Sequence, residues 1–347
     1  MSAATEPVVR VALIGAGSFG RAIAGMLARL PELELVGVAD VHAATAEAFS
    51  TDSGVPSWTD YKALLAECDC DAVAISTPHN THRDIAIDSA AAGRHIFCEK
   101  AMAINVAECN DMIRAADEHN VRLMVGHKRR LRPAYVEIER LLDSGEFGQP
   151  MAINVAGYFG RALTGWWNSR EACGGLLFWA GVHDFDTIRN LMGEVSRVHA
   201  VTGPKLSSSV TDYEDSIAVN LNFASGAIGS VQVSTFYPMA TYRTSFDYEI
   251  VCEHGGIAYD SRQVAIHHQL QDQPMQTTFL EGYGHDVAYD LEWSSFAAWV
   301  LRDEPPILTG EDGLRCIEIM QAAYISVATG EAVDLPLATD DTRPWGA

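Results

Sequence analysis

The stretch VVRVALIGAGSFGRAIAGM, Val8 to Met26, decides the fold. Val8, Val9, Val11, Ala12, Leu13 and Ile14 form an apolar run interrupted only by Arg10, the pattern of a parallel strand buried on both faces. Gly15, Gly17 and Gly20 follow as G-x-G-x-x-G where the strand should end, and Arg21 to Leu30 reads as a helix closed by Pro31. Gly15 permits a tight turn, Gly17 lets a pyrophosphate approach bare backbone, and Gly20 lets the helix pack close to the strand. With the N–H groups and positive dipole end of that helix, Gly15, Gly17, Ser18, Phe19 and Gly20 are the expected phosphate-binding residues. A second apolar strand, Leu33 to Ala39, ends at Asp40, about twenty residues past the last glycine, where a ribose-binding acid is expected. The plainer alternative is a glycine-rich turn followed by an unrelated aspartate. The G-x-x-x-x-G-K-[ST] phosphate loop is absent.

The chain has 347 residues, room for two domains and a sizeable core. Hydrophobic residues make up 48% and charged ones 20%, the balance of a globular chain rather than a disordered one. No segment approaches the roughly 20 apolar residues of a membrane span. MSAATEPVVR has no basic region followed by an apolar core, so a cytoplasmic protein is expected. A formal charge of −22 argues against nucleic acid or an anionic membrane as the main partner. The seven scattered cysteines contain no C-x-x-C pair and read as buried, reduced thiols, so no metal is expected.

Up to Val125 the sequence alternates strand and helix patterns. Helices are expected at Ala43–Ser50, Tyr61–Ala66, Thr81–Ala92 and Asn105–Glu118. Asp71–Ser76, His95–Cys98 and Val121–Val125 read as strands. Such alternation predicts an α/β fold, a doubly wound parallel sheet forming a dinucleotide-binding domain over residues 1–126. Near Gly126 the grammar changes. Pro133–Asp143 is a helix, and strands follow at Met151–Phe159, Val195–Val201, Asp215–Phe223, Ala227–Phe236, Thr244–Cys252, Gly256–Tyr259 and Gln263–Gln269. Ser225-Gly226 marks a hairpin, Phe178–Met192 is helical, and helices Val287–Arg302 and Gly310–Thr329 finish the chain. Residues 127–347 thus form a second, α+β domain with an open, mainly antiparallel sheet, whose apolar face needs cover from helices or another subunit.

Three further stretches could carry chemistry. Ser76-Thr77-Pro78-His79-Asn80-Thr81-His82 lies between a strand and a helix, at the carboxyl edge where ligands bind, and is equally a well-capped turn. Cys98-Glu99-Lys100-Ala101 follows another strand. A lysine there, facing a cofactor in a low-dielectric pocket, would be a proton donor or acceptor; a surface Glu-Lys pair is the plainer alternative. In Gly174-Gly175-Leu176-Leu177-Phe178-Trp179-Ala180-Gly181-Val182-His183-Asp184-Phe185-Asp186, helical spacing puts Trp179, His183 and Asp186 on one face. His183 is either a proton-transfer group or a packing residue.

Together, GAGSFG, TPHNTH, EKA and GGLLFWAGVHDFD, in this order, resemble the motifs of the Gfo/Idh/MocA oxidoreductases, and the resemblance runs from Val8 to about Ala328. It implies a Rossmann domain followed by an α/β domain that forms homodimers or homotetramers through its open sheet. It also implies a sugar, sugar derivative or cyclitol as substrate. Lys100 matches the family's catalytic lysine and His183 its catalytic histidine. Lys128 matches a position that lines the substrate pocket, and Asn80, His82 and Glu99 positions that contact the cofactor along with Ser76, Thr77 and Pro78. Two departures stand out: Ala101 replaces the proline after the lysine, and Trp179 replaces an aspartate four residues before the histidine. Indole cannot act as that carboxylate would, so a substrate-lining role for Trp179 is favoured over simple space filling.

The expected activity is therefore oxidation of a hydroxyl by hydride transfer to a nicotinamide. Lys100 or His183 takes the hydroxyl proton and the other bonds the same oxygen. Asp40 favours NAD over NADP, because a carboxylate repels a 2′-phosphate and no Arg or Lys occurs between Asp40 and Lys62. Tyr158, Trp166, Trp167, Tyr237 and Tyr242 are further candidates for the pocket wall. The alternatives are a redox-elimination glycosidase of the same family and a non-catalytic sugar-sensing regulator.

Overall fold

Residues 7–159, 164–206, 209–235, 245–280 and 285–338 are described here from a computed structural model. The first half alternates as its apolar periodicity requires. In chain order come β1 (Val9–Ile14), α1 (Ser18–Leu27), β2 (Leu33–Ala39), α2 (Ala43–Ser53), β3 (Ser57–Trp58), α3 (Tyr61–Glu67), β4 (Ala72–Ile75), α4 (His82–Ala91), β5 (His95–Cys98), α5 (Val106–Glu118) and β6 (Leu123–Val125). The second half has α6 (Pro133–Asp143), β7 (Pro150–Phe159), α7 (Arg170–Cys173), α8 (Val182–Met192), β8 (Val195–Thr202), β9 (Ser216–Phe223), β10 (Ile228–Thr235), β11 (Ser245–Cys252), β12 (Gly255–Asp260), β13 (Ala265–Leu270) and β14 (Gln276–Phe279). The last elements are α9 (His285–Arg302), α10 (Gly310–Thr329) and β15 (Val333–Asp334).

The chain divides into two units. The first contains residues 1–103, 107–128 and 285–314. Its six strands run parallel in the order β3-β2-β1-β4-β5-β6, with β1 and β4 buried almost end to end. Residues 285–314 return to this unit after the second sheet's strands β7–β14. Helix α9 packs here through Trp293, fully buried and stacked on Phe97 of β5 with ring centroids 3.8 Å apart, and through Phe296. Arg29–Asp290 at 2.6 Å and Arg302–Glu32 at 2.5 Å add surface pairs, which contribute little beside that aromatic burial.

Helix starts show how the loops feed the helices. Helix α1 begins at Ser18, not Arg21, because the turn at Gly15 is tight enough to start it at once. Asp60 caps α3 by accepting the Lys62 N–H at 2.9 Å. Thr81 stands at the start of α4 without a side-chain cap; its hydroxyl donates instead to the Pro78 carbonyl at 2.7 Å, closing a short 3-10 turn over His79–Thr81. All seven cysteines are buried thiols. Among the described residues no helix is long and apolar enough to cross a membrane.

The second unit holds residues 104–106, 129–284 and 315–347. Its nine strands run in the order β14-β13-β12-β11-β7-β10-β9-β8-β15, all neighbours antiparallel except β7 with β10. The Ser225-Gly226 turn, with Gly226 at φ +90°, joins β9 to β10 as expected. Alternation sends Ile153, Val155, Val219, Val231, Val233, Tyr248 and Ile250 inward. The other face carries Asn154, Ala156, Ala218, Ser230 and Gln232, half-buried or exposed, with Ile228, Val201 and Val251 more than half exposed.

Candidate active site

In a parallel sheet the last backbone hydrogen bond of each strand pair fixes where the following loop begins. Here those bonds are Asp40 N–H to Trp58 O (3.1 Å), Gly15 N–H to Ala39 O (2.8 Å), Ser76 N–H to Ile14 O (2.8 Å), Glu99 N–H to Ile75 O (3.0 Å) and Gly126 N–H to Cys98 O (2.9 Å). They set Asp40, Gly15, Ser76, Glu99 and Gly126 side by side along the carboxyl edge of the first sheet. Four of these five are sequence-predicted site residues, drawn from positions up to 84 apart in the chain.

A Cβ would meet different surroundings at each glycine of the loop. At Gly15, where φ is +103°, it would lie 2.2 Å from the Ser76 carbonyl oxygen; at Gly20, 2.1 Å from the Gly15 carbonyl oxygen. Packing within the protein therefore demands both glycines. At Gly17 it would meet nothing within 4 Å, and φ is −65°, open to any residue. The bare backbone at Gly17 faces open space at the start of α1, whose first N–H groups have no side-chain cap there. Asp40 is held by both oxygens: Oδ2 accepts the Ala16 N–H and Oδ1 the His42 N–H, each at 2.9 Å. Its remaining lone pairs can take two ribose hydroxyls. These residues fit a dinucleotide.

Glu99 is buried, and a Cβ at position 126 would crowd its carboxylate at 3.2 Å, so Gly126 makes its space. Burial pushes the Glu99 carboxyl up to about 7, opposed by Lys128, then Lys100, then the Lys100 backbone N–H. Lys100 is half-buried at the end of β5. Lys128 is also half-buried, its Nζ 3.7 Å from the ring centre of Tyr289 on α9 and 5.5 Å from that of Phe19 in the glycine loop. The sequence reading gave no role to Tyr289. It lies some 160 residues from Lys128, on a helix whose place beside the first sheet no local signal announces.

The TPHNTH and EKA segments are knit together beneath that edge. His82 is fully buried: Nε2 lies 2.9 Å from the Thr77 carbonyl oxygen, and Nδ1 3.0 Å from that of Ala101 and 3.4 Å from Cys98 Sγ. Burial lowers its pKa, so the neutral ring is favoured, donating its one proton to a carbonyl oxygen, and the Cys98 thiol beside it carries a proton of its own. Burial also raises the Cys98 thiol pKa, which keeps that proton on sulfur. His79, nearly as buried, accepts the Ala101 N–H at Nε2, 3.3 Å away. The Lys100–Ala101 peptide bond is cis. Asn80 is exposed beside them.

In the second unit, residues 177–181 form a π-helix that runs into α8 at Val182. The spacing that would align Trp179 with His183 on an α-helix therefore does not hold, since a π-turn carries more residues. Trp179 is 9% exposed, its ring centre 5.0 Å from that of Phe159. Alternation puts Tyr158 on the opposite face of β7 from Phe159, so Tyr158 and Trp179 do not share a wall. Trp166 stacks on Trp167 at 3.7 Å, half-buried. His183 is half-buried at the head of α8. Asp184 is fully buried, paired with Arg129 and accepting the Tyr248 hydroxyl at 2.7 Å. Burial raises its pKa, against the pull of the Arg129 charge. Asp186 accepts from Arg130 Nε at 2.9 Å. Tyr237 and Tyr242 lie outside the described residues.

Comparison with known proteins identifies the family. The Oxidoreductase family with an NAD-binding Rossmann fold matches residues 9–127, and its C-terminal alpha/beta domain matches residues 139–335. Inositol 2-dehydrogenase of Rhizobium meliloti (strain 1021) is 30% identical over 336 residues, covering 94% of this chain and 99% of that protein. The scyllo-inositol 2-dehydrogenase (NAD(+)) of Bacillus subtilis (strain 168) is 28% identical over 346 residues, with 95% and 97% covered. Among solved structures, a levoglucosan dehydrogenase in complex with NADH and levoglucosan superposes with a TM-score of 0.86 at 23% identity, covering 95% of this chain and all of that one. The chain belongs to the Gfo/Idh/MocA oxidoreductase family, an NAD-binding Rossmann fold followed by the family's C-terminal alpha/beta domain.

Proposed function

We propose that this protein is an NAD-dependent dehydrogenase oxidising a hydroxyl of a sugar, sugar derivative or cyclitol. The observation that carries the reading is the row Asp40–Gly15–Ser76–Glu99 at one sheet edge, with Lys100 next in sequence. The substrate class rests on the two inositol dehydrogenases, matched over nearly their full lengths. Gly15 to Gly20 would hold the pyrophosphate at the start of α1, Asp40 the adenosine ribose, and Ser76, Thr77, Pro78, Asn80 and Glu99 the remainder. Bound NAD supplies the hydride acceptor. Lys100 and His183 are the candidate proton-transfer groups, one of which takes the proton leaving the substrate hydroxyl. Lys128, Trp166 and Trp179 are retained as substrate-facing candidates. The open face of the nine-stranded sheet supports assembly into homodimers or homotetramers, with a second copy covering Ala156, Ser230 and their neighbours.

A panel of inositols, monosaccharides and glycosides is screened for net NADH formation, and at least one cyclitol or sugar is expected to respond. Lys100→Ala should lower turnover by about 100- to 10,000-fold while NADH still binds. Retained turnover in that variant removes Lys100 from the mechanism.

Gly17→Ala and Gly20→Ala should separate ligand from fold. The first should leave the urea midpoint nearly unchanged and weaken NADH binding about tenfold, or 1.4 kcal/mol. The second should lower stability by about 1–3 kcal/mol, because its Cβ has no room. Equal NADH affinity in wild type and Gly17→Ala counts against the phosphate site.

Because the Glu99 pKa is raised in the folded chain, the stability it contributes is present below pH 4.5 and lost as pH rises through about 7. The ionised carboxylate is the form that accepts ribose hydroxyls, so NADH affinity should increase as pH rises through about 7. Lys128→Met removes the larger of the two opposing charges and should move that midpoint upward; Glu99→Gln should abolish it. A flat wild-type profile between about pH 6 and 8, matching Glu99→Gln, excludes the role.

Ser230→Arg, on the open face between β7 and β9, should dissociate the assembly in sedimentation equilibrium. An unchanged mass moves the interface elsewhere.

A further inference from the structure

The family pattern has proline after its catalytic lysine, and proline carries no N–H. This chain has Ala101 there, and that residue is completely buried. The substitution creates a backbone donor with no access to water, and a buried donor needs a partner. The partner is His79, 1% exposed, whose Nε2 accepts the Ala101 N–H at 3.3 Å. On the other side of the same peptide, the Ala101 carbonyl oxygen meets His82 Nδ1 at 3.0 Å, and the Met102 carbonyl oxygen meets it at 3.3 Å. The two rings lie edge to face, 5.6 Å apart.

We propose that His79 is a positioning residue for Lys100, holding the backbone after the lysine through the N–H that alanine introduces in place of proline. Lys100 shares a peptide bond with Ala101, so the direction of that N–H fixes the plane from which the Lys100 side chain departs. An imidazole suits the task because its neutral form offers one unprotonated nitrogen on a rigid ring. That assignment requires the proton of neutral His79 to sit on Nδ1. His79 and Ala101 are then one device made of two residues, 22 positions apart. Either both are needed, or proline at 101 makes the histidine dispensable.

The proposal rests on the reading of Lys100 as a proton-transfer group, and its test has one arm that does not. Nitrogen NMR of 15N-histidine-labelled protein should show one ring, absent from His79→Ala, with Nδ1 protonated and Nε2 bare. A protonated Nε2 overturns the proposal even if every polyol proves inert. The second arm is a cycle of His79→Ala and Ala101→Pro, assayed with NAD and whichever cyclitol or sugar forms NADH fastest. His79→Ala alone should lower kcat roughly 10- to 100-fold with KM for NAD within about threefold. In the Ala101→Pro background the same substitution should cost less than about threefold, and His79→Gln, which keeps an acceptor, should retain most of the wild-type rate. Should His79→Ala not fold, the double variant and His79→Gln still decide. An equal loss from removing His79 in both backgrounds, or a His79→Gln variant as impaired as His79→Ala, overturns the proposal.

Discussion

The candidate site depends on how closely two backbones approach at the end of the first sheet. Gly15 lies against the Ser76 carbonyl, and Gly20 against Gly15, with no space for even a methyl group at either contact. That closeness brings the start of α1 down onto the edge of β1 and β4. It leaves Gly17 as the point where the loop faces outward over open space. Every other feature of the edge follows from the same rungs of parallel pairing: Asp40 on one flank and Glu99 on the other, each one residue beyond its strand, with Lys100 next after Glu99. The three glycines are alike in sequence but unlike in cause, two answering to the protein's own atoms and one to space outside it.

Much of this was legible in the sequence because it is local. The strand at His95–Cys98 and the helix at Pro133–Asp143 fall where apolar spacing and the flanking Gly and Pro residues put them. So do most strands of the second sheet, within two residues, because period-two alternation with one buried face leaves little freedom of register. What the sequence did not disclose is which distant parts meet. The edge strands β3 and β15 have two residues each, and β14 buries none of its four, so none of them carries a pattern. The π-helical turn at residues 177–181 breaks a helical spacing that the residues themselves satisfy. In the site, Asp40, Glu99 and the glycines were readable from spacing. The packing of Tyr289 on Lys128, and the use His79 makes of a buried N–H, depend on neighbours that only folding supplies.

The basic run Lys128-Arg129-Arg130-Leu131-Arg132 illustrates how composition misleads at short range. Three of its charges are committed inside the protein. Lys128 lies on an aromatic ring, Arg129 pairs with buried Asp184, and Arg130 forks onto Asp186. Tyr248 adds its hydroxyl to Asp184, so this one carboxylate on α8 gathers groups from two distant parts of the chain. Pairs of this kind have little net effect on stability as long as both partners remain, and losing one partner leaves an uncompensated charge in a dry interior. The HDFD stretch beside His183 thus carries anchoring carboxylates as well as a candidate catalytic group, and the anchors hold the turn from which His183 projects.

Helix α9 brings a temporal consequence. The six strands of the first sheet have all been synthesised by Val125, yet Trp293, the ring that covers Phe97, is added nearly 170 residues later. As the chain leaves the ribosome, the nucleotide-binding half must wait with part of its apolar layer bare while eight of the nine strands of the second sheet are being made. The order of translation therefore makes the amino-terminal sheet among the last parts of the molecule to be finished.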